Sequence, residues 1–147
     1  MVKRRFPAFL ASAVLVACSA GGDADNRAVV DRYFATLGTG DINAALGLYS
    51  ETFFRATSRD DWARALHGMR DRCGGVRAHK LTRWSQSRML FSGAASGSSS
   101  VLIYDVTYDS CRVTEAFTVF KPADGKPQIV SQNIKVRQQS DARAQSV

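Results

Sequence analysis

The residues best placed to do chemistry stand in the last third of the chain. Glu115 lies in the alternating run Val113-Thr114-Glu115-Ala116-Phe117, in which every second side chain shares a face. Folding Val101–Asp109 back on Cys111–Lys121 through a turn at Asp109-Ser110 sets Tyr108 against Cys111, Val106 against Val113, Tyr104 against Glu115 and Leu102 against Phe117. The other side then shows Thr107, Asp105, Arg112, Thr114 and Thr118. A slip of one residue would swap the two sides, so their separation supports the register. A second turn, Pro122-Ala123-Asp124-Gly125, with Lys121 paired to Lys126, sets Val130 against Phe117, Gln132 against Glu115 and Ile134 against Val113. The apolar face thus carries one polar row, Tyr104–Glu115–Gln132, with Tyr108 on the same face nearer the turn. A carboxyl there is costly unless hydrogen-bonded, and burial raises its pKa toward the range a general base uses. In that role Glu115 takes a proton, Tyr104 polarises a substrate oxygen, and Tyr108 and Gln132 line the ligand site. The competing reading is a satisfied structural acid, or one that reaches solvent at the rim.

Other chemistries find less support. His67 and His79 have no partner at metal-ligand spacing, so no metal site is expected. The serines include no Gly-x-Ser-x-Gly elbow, and no glycine-rich loop follows a strand to hold a nucleotide cofactor. The net charge of +7 includes Lys3, Arg4 and Arg5 of the leader; without them 17 basic residues face 13 acidic ones. Along the chain these cations read as scattered, without a basic stripe interleaved with stacking aromatics, so no nucleic-acid partner is expected.

The leader has a basic head (Lys3-Arg4-Arg5), a short apolar stretch from Phe6 to Val16, and small residues at its end, the pattern of a secretory signal over residues 1–17. Leu15-Val16-Ala17-Cys18 resembles the lipobox of bacterial lipoproteins. The resemblance implies that Cys18 is acylated, becomes the mature amino terminus and holds the protein on the membrane. Ser19 after it implies sorting to the outer membrane, on the periplasmic side. Cys18 set aside, Cys73 and Cys111 remain as a pair in an oxidising compartment, which favours a disulfide over two buried thiols.

These side chains need elements to carry them. Ser19–Asn26 is small and polar and reads as a flexible tether from Cys18. Arg27–Leu37 is helical, with Val30, Tyr33, Phe34 and Leu37 on one side and Gly38 at its end. Asp41 caps a short helix carrying Ile42, Ala45, Leu46 and Tyr49. Ser50–Thr57 reads as a connection whose Phe53 and Phe54 plug the core. Ser58 caps a third helix with the stripe Trp62, Leu66, Met69, Cys73. Val76–Phe91 holds one long strand or two short ones, Gly93–Ser100 a loop, and Val101–Asp109, Cys111–Lys121 and Pro127–Val136 three further strands. Residues 138–147 read as a flexible tail. The expectation is one α+β domain over residues 27–137, three N-terminal helices packed on a curved antiparallel sheet of about four strands.

That order of elements resembles the nuclear transport factor 2-like cone, also called SnoaL-like or cystatin-like. The resemblance rests on the Gly38-Thr39-Gly40-Asp41 break, on Trp62, and on the hairpin Thr114-Glu115-Ala116-Phe117 with Asp124-Gly125-Lys126; Pro127 and Gln128 stand where other members carry an aromatic. It implies helices closing over the concave face of the sheet around an apolar pocket. Some members are isomerases or dehydratases without a cofactor, and others only bind. The first reading is a non-enzymatic, lipid-anchored module for a small apolar ligand or an envelope protein. The second is a cofactor-free enzyme using Glu115 and Tyr104. The third is a homodimer through an outer sheet face bearing Val101, Ile103, Ala116 and Phe120.

Intact-mass analysis of membrane fractions is expected to find a protein that begins at Cys18 and carries acyl chains, and Cys18→Ala is expected to release it. A soluble mature form cut elsewhere contradicts the assignment.

Overall fold

The computed structural model describes residues 21–89 and 96–137; the leader, Cys18 and the 138–147 tail lie outside the described residues. Within them the chain forms four helices, α1 (Gly21–Thr39), α2 (Ile42–Leu46), α3 (Glu51–Ala56) and α4 (Arg59–Cys73). Four strands follow: β1 (Val76–Met89), β2 (Gly97–Tyr108), β3 (Arg112–Pro122) and β4 (Gln128–Val136). The class is α+β, with an open antiparallel sheet in the order β1-β2-β3-β4.

Side-chain caps start the three later helices. Asp41 accepts from the Ala44 amide, Ser50 from Phe53 and Ser58 from Asp61, so each satisfies an amide that the first helical turn leaves open. The Ser50 cap corrects the reading of Ser50–Thr57 as a connection. With Glu51 in the first turn and Arg55 in the last, the segment makes a short helix of its own, so there are four helices rather than three. The tether is corrected as well. α1 starts at Gly21, not Arg27, because tertiary contacts outweigh the Gly21-Gly22 signal. Asn26 is fully buried and donates to Ser100 Oγ at 2.8 Å, and Asp25 pairs with Lys121.

β2 and β3 pair as the alternation requires: Leu102 faces Phe117, Tyr104 faces Glu115 and Val106 faces Val113. Residues 97–100, read as loop, extend β2. Val76–Met89 is one strand with two irregularities, at Val76/Ala78 and Leu81/Arg83. The β3–β4 register differs from expectation. Pro127 has no N–H to give a ladder, so β4 begins at Gln128 opposite Phe120. An irregularity between Thr118 and Val119 then sets Gln132 opposite Phe117 and Ile134 opposite Glu115, a shift of two that keeps both facing inward. Ile129, not Val130, fills the core beside Val119.

The helices pack on one side of this sheet. α1 contributes Val30, Tyr33 and Phe34, which meet Leu102, Tyr104 and Phe117 of the sheet; α2 and α4 add Ile42, Leu46, Leu66 and Met69. The chain entering α3 also braces the sheet edge, with Ser50 N donating to Ile129 O and Ile129 N to Leu48 O, both at 2.9 Å. At the far end Cys73 and Cys111 form a disulfide, with Cα atoms 5.1 Å apart and a sequence separation of 38. Around it the β2–β3 turn is tied to the end of α4. Asp109 Oδ2 accepts from Gly75 N, and Ser110 N donates to Cys73 O. Gly74 adopts φ +79, and a Cβ there would lie 2.2 Å from Asp109 Oδ2, so both the conformation and the close approach call for glycine.

Peptide mapping without reductant is expected to recover Cys73 linked to Cys111. Opening a loop of this length removes about 4 kcal/mol of restraint on the unfolded chain, a large part of a small domain's stability. Reduction should therefore lower Tm by on the order of 10 °C or more. A Tm unchanged by reduction would contradict the bond.

Candidate functional site

Glu115 stands in the middle strand pair, and alternation turns its carboxyl toward the helices. It is fully buried, with no cation beside it. Neutral donors meet it instead: Tyr108 Oη donates to Oε1 at 2.6 Å and Gln132 Nε2 to Oε2 at 2.8 Å. Gln132 also donates to Tyr33 Oη at 3.0 Å, and its carbonyl oxygen accepts from Tyr49 Oη. One carboxyl, one amide and three phenols thus form a continuous network, drawn from α1, the segment before α3, and β2, β3 and β4.

Packing holds these groups in place. Tyr33 meets Phe34, Tyr49 and Phe117 edge-on, at centroid distances of 5.3, 6.2 and 5.2 Å. Tyr49 packs in turn against Phe53 and Trp62. Burial is the main cause of Glu115's altered acidity. It pushes the carboxyl up to about 7 from an ordinary 4.5, while the bonds from Tyr108 and Gln132 oppose the rise. Burial likewise lifts the hydroxyls of Tyr33, Tyr49 and Tyr108 well above the usual tyrosine range, so all three remain protonated donors.

The structure thus brings Glu115, Gln132 and Tyr108 together. Tyr104 lies opposite Glu115 in the ladder, but its ring packs against Phe34, His79 and Phe117. The phenol on the carboxyl is Tyr108, since long side chains lean along the strand and meet diagonally as well as directly across. Gln132 also reaches Glu115 diagonally. Tyr33 and Tyr49 were legible only as core aromatics. The missed signal was their hydroxyl, because a buried tyrosine, unlike a phenylalanine, needs a hydrogen-bond partner.

Within the network Tyr33, Tyr49 and Tyr108 are buried with Glu115, and Gln132 is part-buried. Nearby is a cavity of about 10 Å³ lined by Leu37, Ile42, Leu66, Met69, Val76 and Tyr108, roughly room for one water. Among the described residues no three His, Cys, Asp or Glu side chains converge as a metal site requires. On the outer sheet face, Val101 is 39 % exposed and Ile103 and Ala116 are part-buried. Phe120 lies over Gly97, where a Cβ would meet its ring at 2.8 Å.

A scan against protein-family models finds no match, and a search of curated proteins finds none either. The chain is similar in fold to a solved structure from Catenulispora acidiphila. The TM-score is 0.54 at 16 % identity, and the likeness covers 83 % of this chain and 93 % of that one. At that identity the likeness concerns fold.

The raised acidity of Glu115 has a thermodynamic consequence. An acid with a higher pKa folded than unfolded contributes stability that is fully present below about 4.5 and is lost as pH rises through about 7. Glu115→Gln is neutral throughout and still offers a donor and an acceptor. Between about pH 4 and pH 8, unfolding free energy is expected to shift in the variant's favour by on the order of 3 kcal/mol. Parallel pH profiles for the two proteins would show that the carboxyl does not titrate in this range.

Proposed function

We propose that this protein is a lipid-anchored envelope module that acts by binding, through its surface, rather than by catalysis. The observation behind the reading is the closure of the Glu115 network. A catalytic or ligand-binding row presents unused hydrogen-bonding capacity to a cavity. Here both carboxyl oxygens of the fully buried Glu115, and both ends of the part-buried Gln132 amide, are occupied by neighbouring side chains. The polar row reads as a structural cross-brace, and exchange with partners falls to the exterior. Membrane attachment rests on the Leu15-Val16-Ala17-Cys18 pattern; among the described residues no helix is long and apolar enough to cross a bilayer. The order of elements and a polar row turned toward the helices also suit a nuclear transport factor 2-like cone.

One observation favours the enzyme reading: a carboxyl pushed up to about 7 beside a phenol is the pairing an isomerase or dehydratase would use. It would require the helices to move and admit substrate. Side-chain amide NMR on Gln132 separates the two. A panel of cyclic ketones and hydroxy acids is expected to leave the Gln132 resonances in place. A saturable shift there, lost in Glu115→Gln, would return the site to ligand binding or chemistry.

A further inference from the structure

The charge of the folded chain is sided. Alternate positions of the strands form ranks across the outer face of the sheet, away from the helices. One rank is Lys80–Asp105–Thr114–Lys135 and the next is Arg83–Ile103–Ala116–Asn133. On the other side of the first runs Ala78–Thr107–Arg112, extended by Arg137, whose amide donates to Arg112 O. Lys80, Arg83, Arg112, Lys135 and Arg137 are all exposed, and Asp105 is the single acid in these ranks. Arg137 already pairs with Asp105. The other four cations make no ion pair among the described residues. Cations that look dispersed along the chain therefore share one face.

We propose that this face binds an anionic phospholipid surface, with the domain lying sheet-down on a bilayer. Strands about 4.8 Å apart and same-face residues about 6.8 Å apart spread the five charges over an area of roughly 14 by 14 Å. That is a two-dimensional array across one face of the sheet, suited to a plane of phosphate headgroups; a linear polyanion calls for a stripe or groove. No aromatic stands in these ranks to stack a base. Ile103 and Ala116, uncharged and part-buried at the centre, stand lower than the long cationic side chains around them. A second copy would bring the same cations against themselves, so the charge pattern disfavours self-association here. Cys18 lies three residues before Gly21, where α1 begins, and the proposal does not rest on an anchor there.

The test uses the chain from Cys18 to Val147, unlipidated and carrying Cys18→Ser, sedimented with vesicles at low ionic strength. Binding to phosphatidylglycerol vesicles, weak binding to phosphatidylcholine, and loss of binding on adding salt are expected. Each cation near an anionic surface contributes a factor of about 5, so Lys80→Gln with Lys135→Gln should weaken partitioning on the order of 25-fold. Lys80→Glu with Lys135→Glu should weaken it further. Arg32→Glu with Arg55→Glu makes the same charge change as that reversal on α1 and α3, and should leave partitioning within about twofold of the parent. Equal losses from the two reversed pairs would reduce the effect to net charge and overturn the proposal. So would failure to bind phosphatidylglycerol vesicles, or binding to soluble polyphosphate without binding to vesicles. Because the probe protein carries no lipid, none of these outcomes depends on whether Cys18 is acylated in the cell.

Discussion

A carboxyl without a cation can sit in the middle of a protein core only if every oxygen is bonded and the bonding groups are themselves satisfied. Glu115 meets that condition by drawing its partners from the whole fold. Tyr108 comes from its neighbour strand on one side and Gln132 from the other. Through Gln132 the constraint passes to Tyr33 on α1 and Tyr49 before α3. Displacing any of these elements would leave a buried polar group unpaired, at about 1–3 kcal/mol for each neutral group. The network thus fixes the position of the helices over the sheet more specifically than apolar packing alone, which tolerates sliding.

The same condition shapes what the protein can do. In this network both carboxyl oxygens of Glu115 and both ends of the Gln132 amide are taken by protein side chains, and aromatic rings pack around them. The interior network holds the helix and sheet layers together. The two sides of the domain's surface differ. Helices with acids in their first turns and bases in their last carry mixed charge, while the outer sheet face is basic apart from Asp105, itself taken by Arg137.

Local pattern accounts for much of the architecture. The β2–β3 register follows from alternation and from a turn too short to permit slippage, so Leu102, Val106, Val113, Glu115 and Phe117 could be assigned inward positions before any contact was known. The sequence also favoured the disulfide: with Cys18 set aside, Cys73 at the end of the α4 stripe and Cys111 just before β3 were the remaining pair, and the two are bonded. Where the reading went astray, one local signal hid another. The aromatics of 50–57 suggested core filler and obscured the Ser50 cap; Pro122–Gly125 suggested a tight turn and obscured the missing N–H of Pro127.

By itself, then, the sequence determined the α+β class, the faces of the paired strands and the inward place of Glu115. These rest on periodicities of two and 3.6 residues and on turn chemistry, all local properties. Tertiary structure alone decided which phenol bonds the carboxyl, that Tyr33 and Tyr49 join through Gln132, and that α1 extends back to Gly21. It also decided that five dispersed cations become one face. Each of these depends on groups brought together from far apart in the chain, as Asn26 and Ser100 are across 74 residues. No local pattern encodes such meetings, because they arise only when the register of every strand and the position of every helix are set at once.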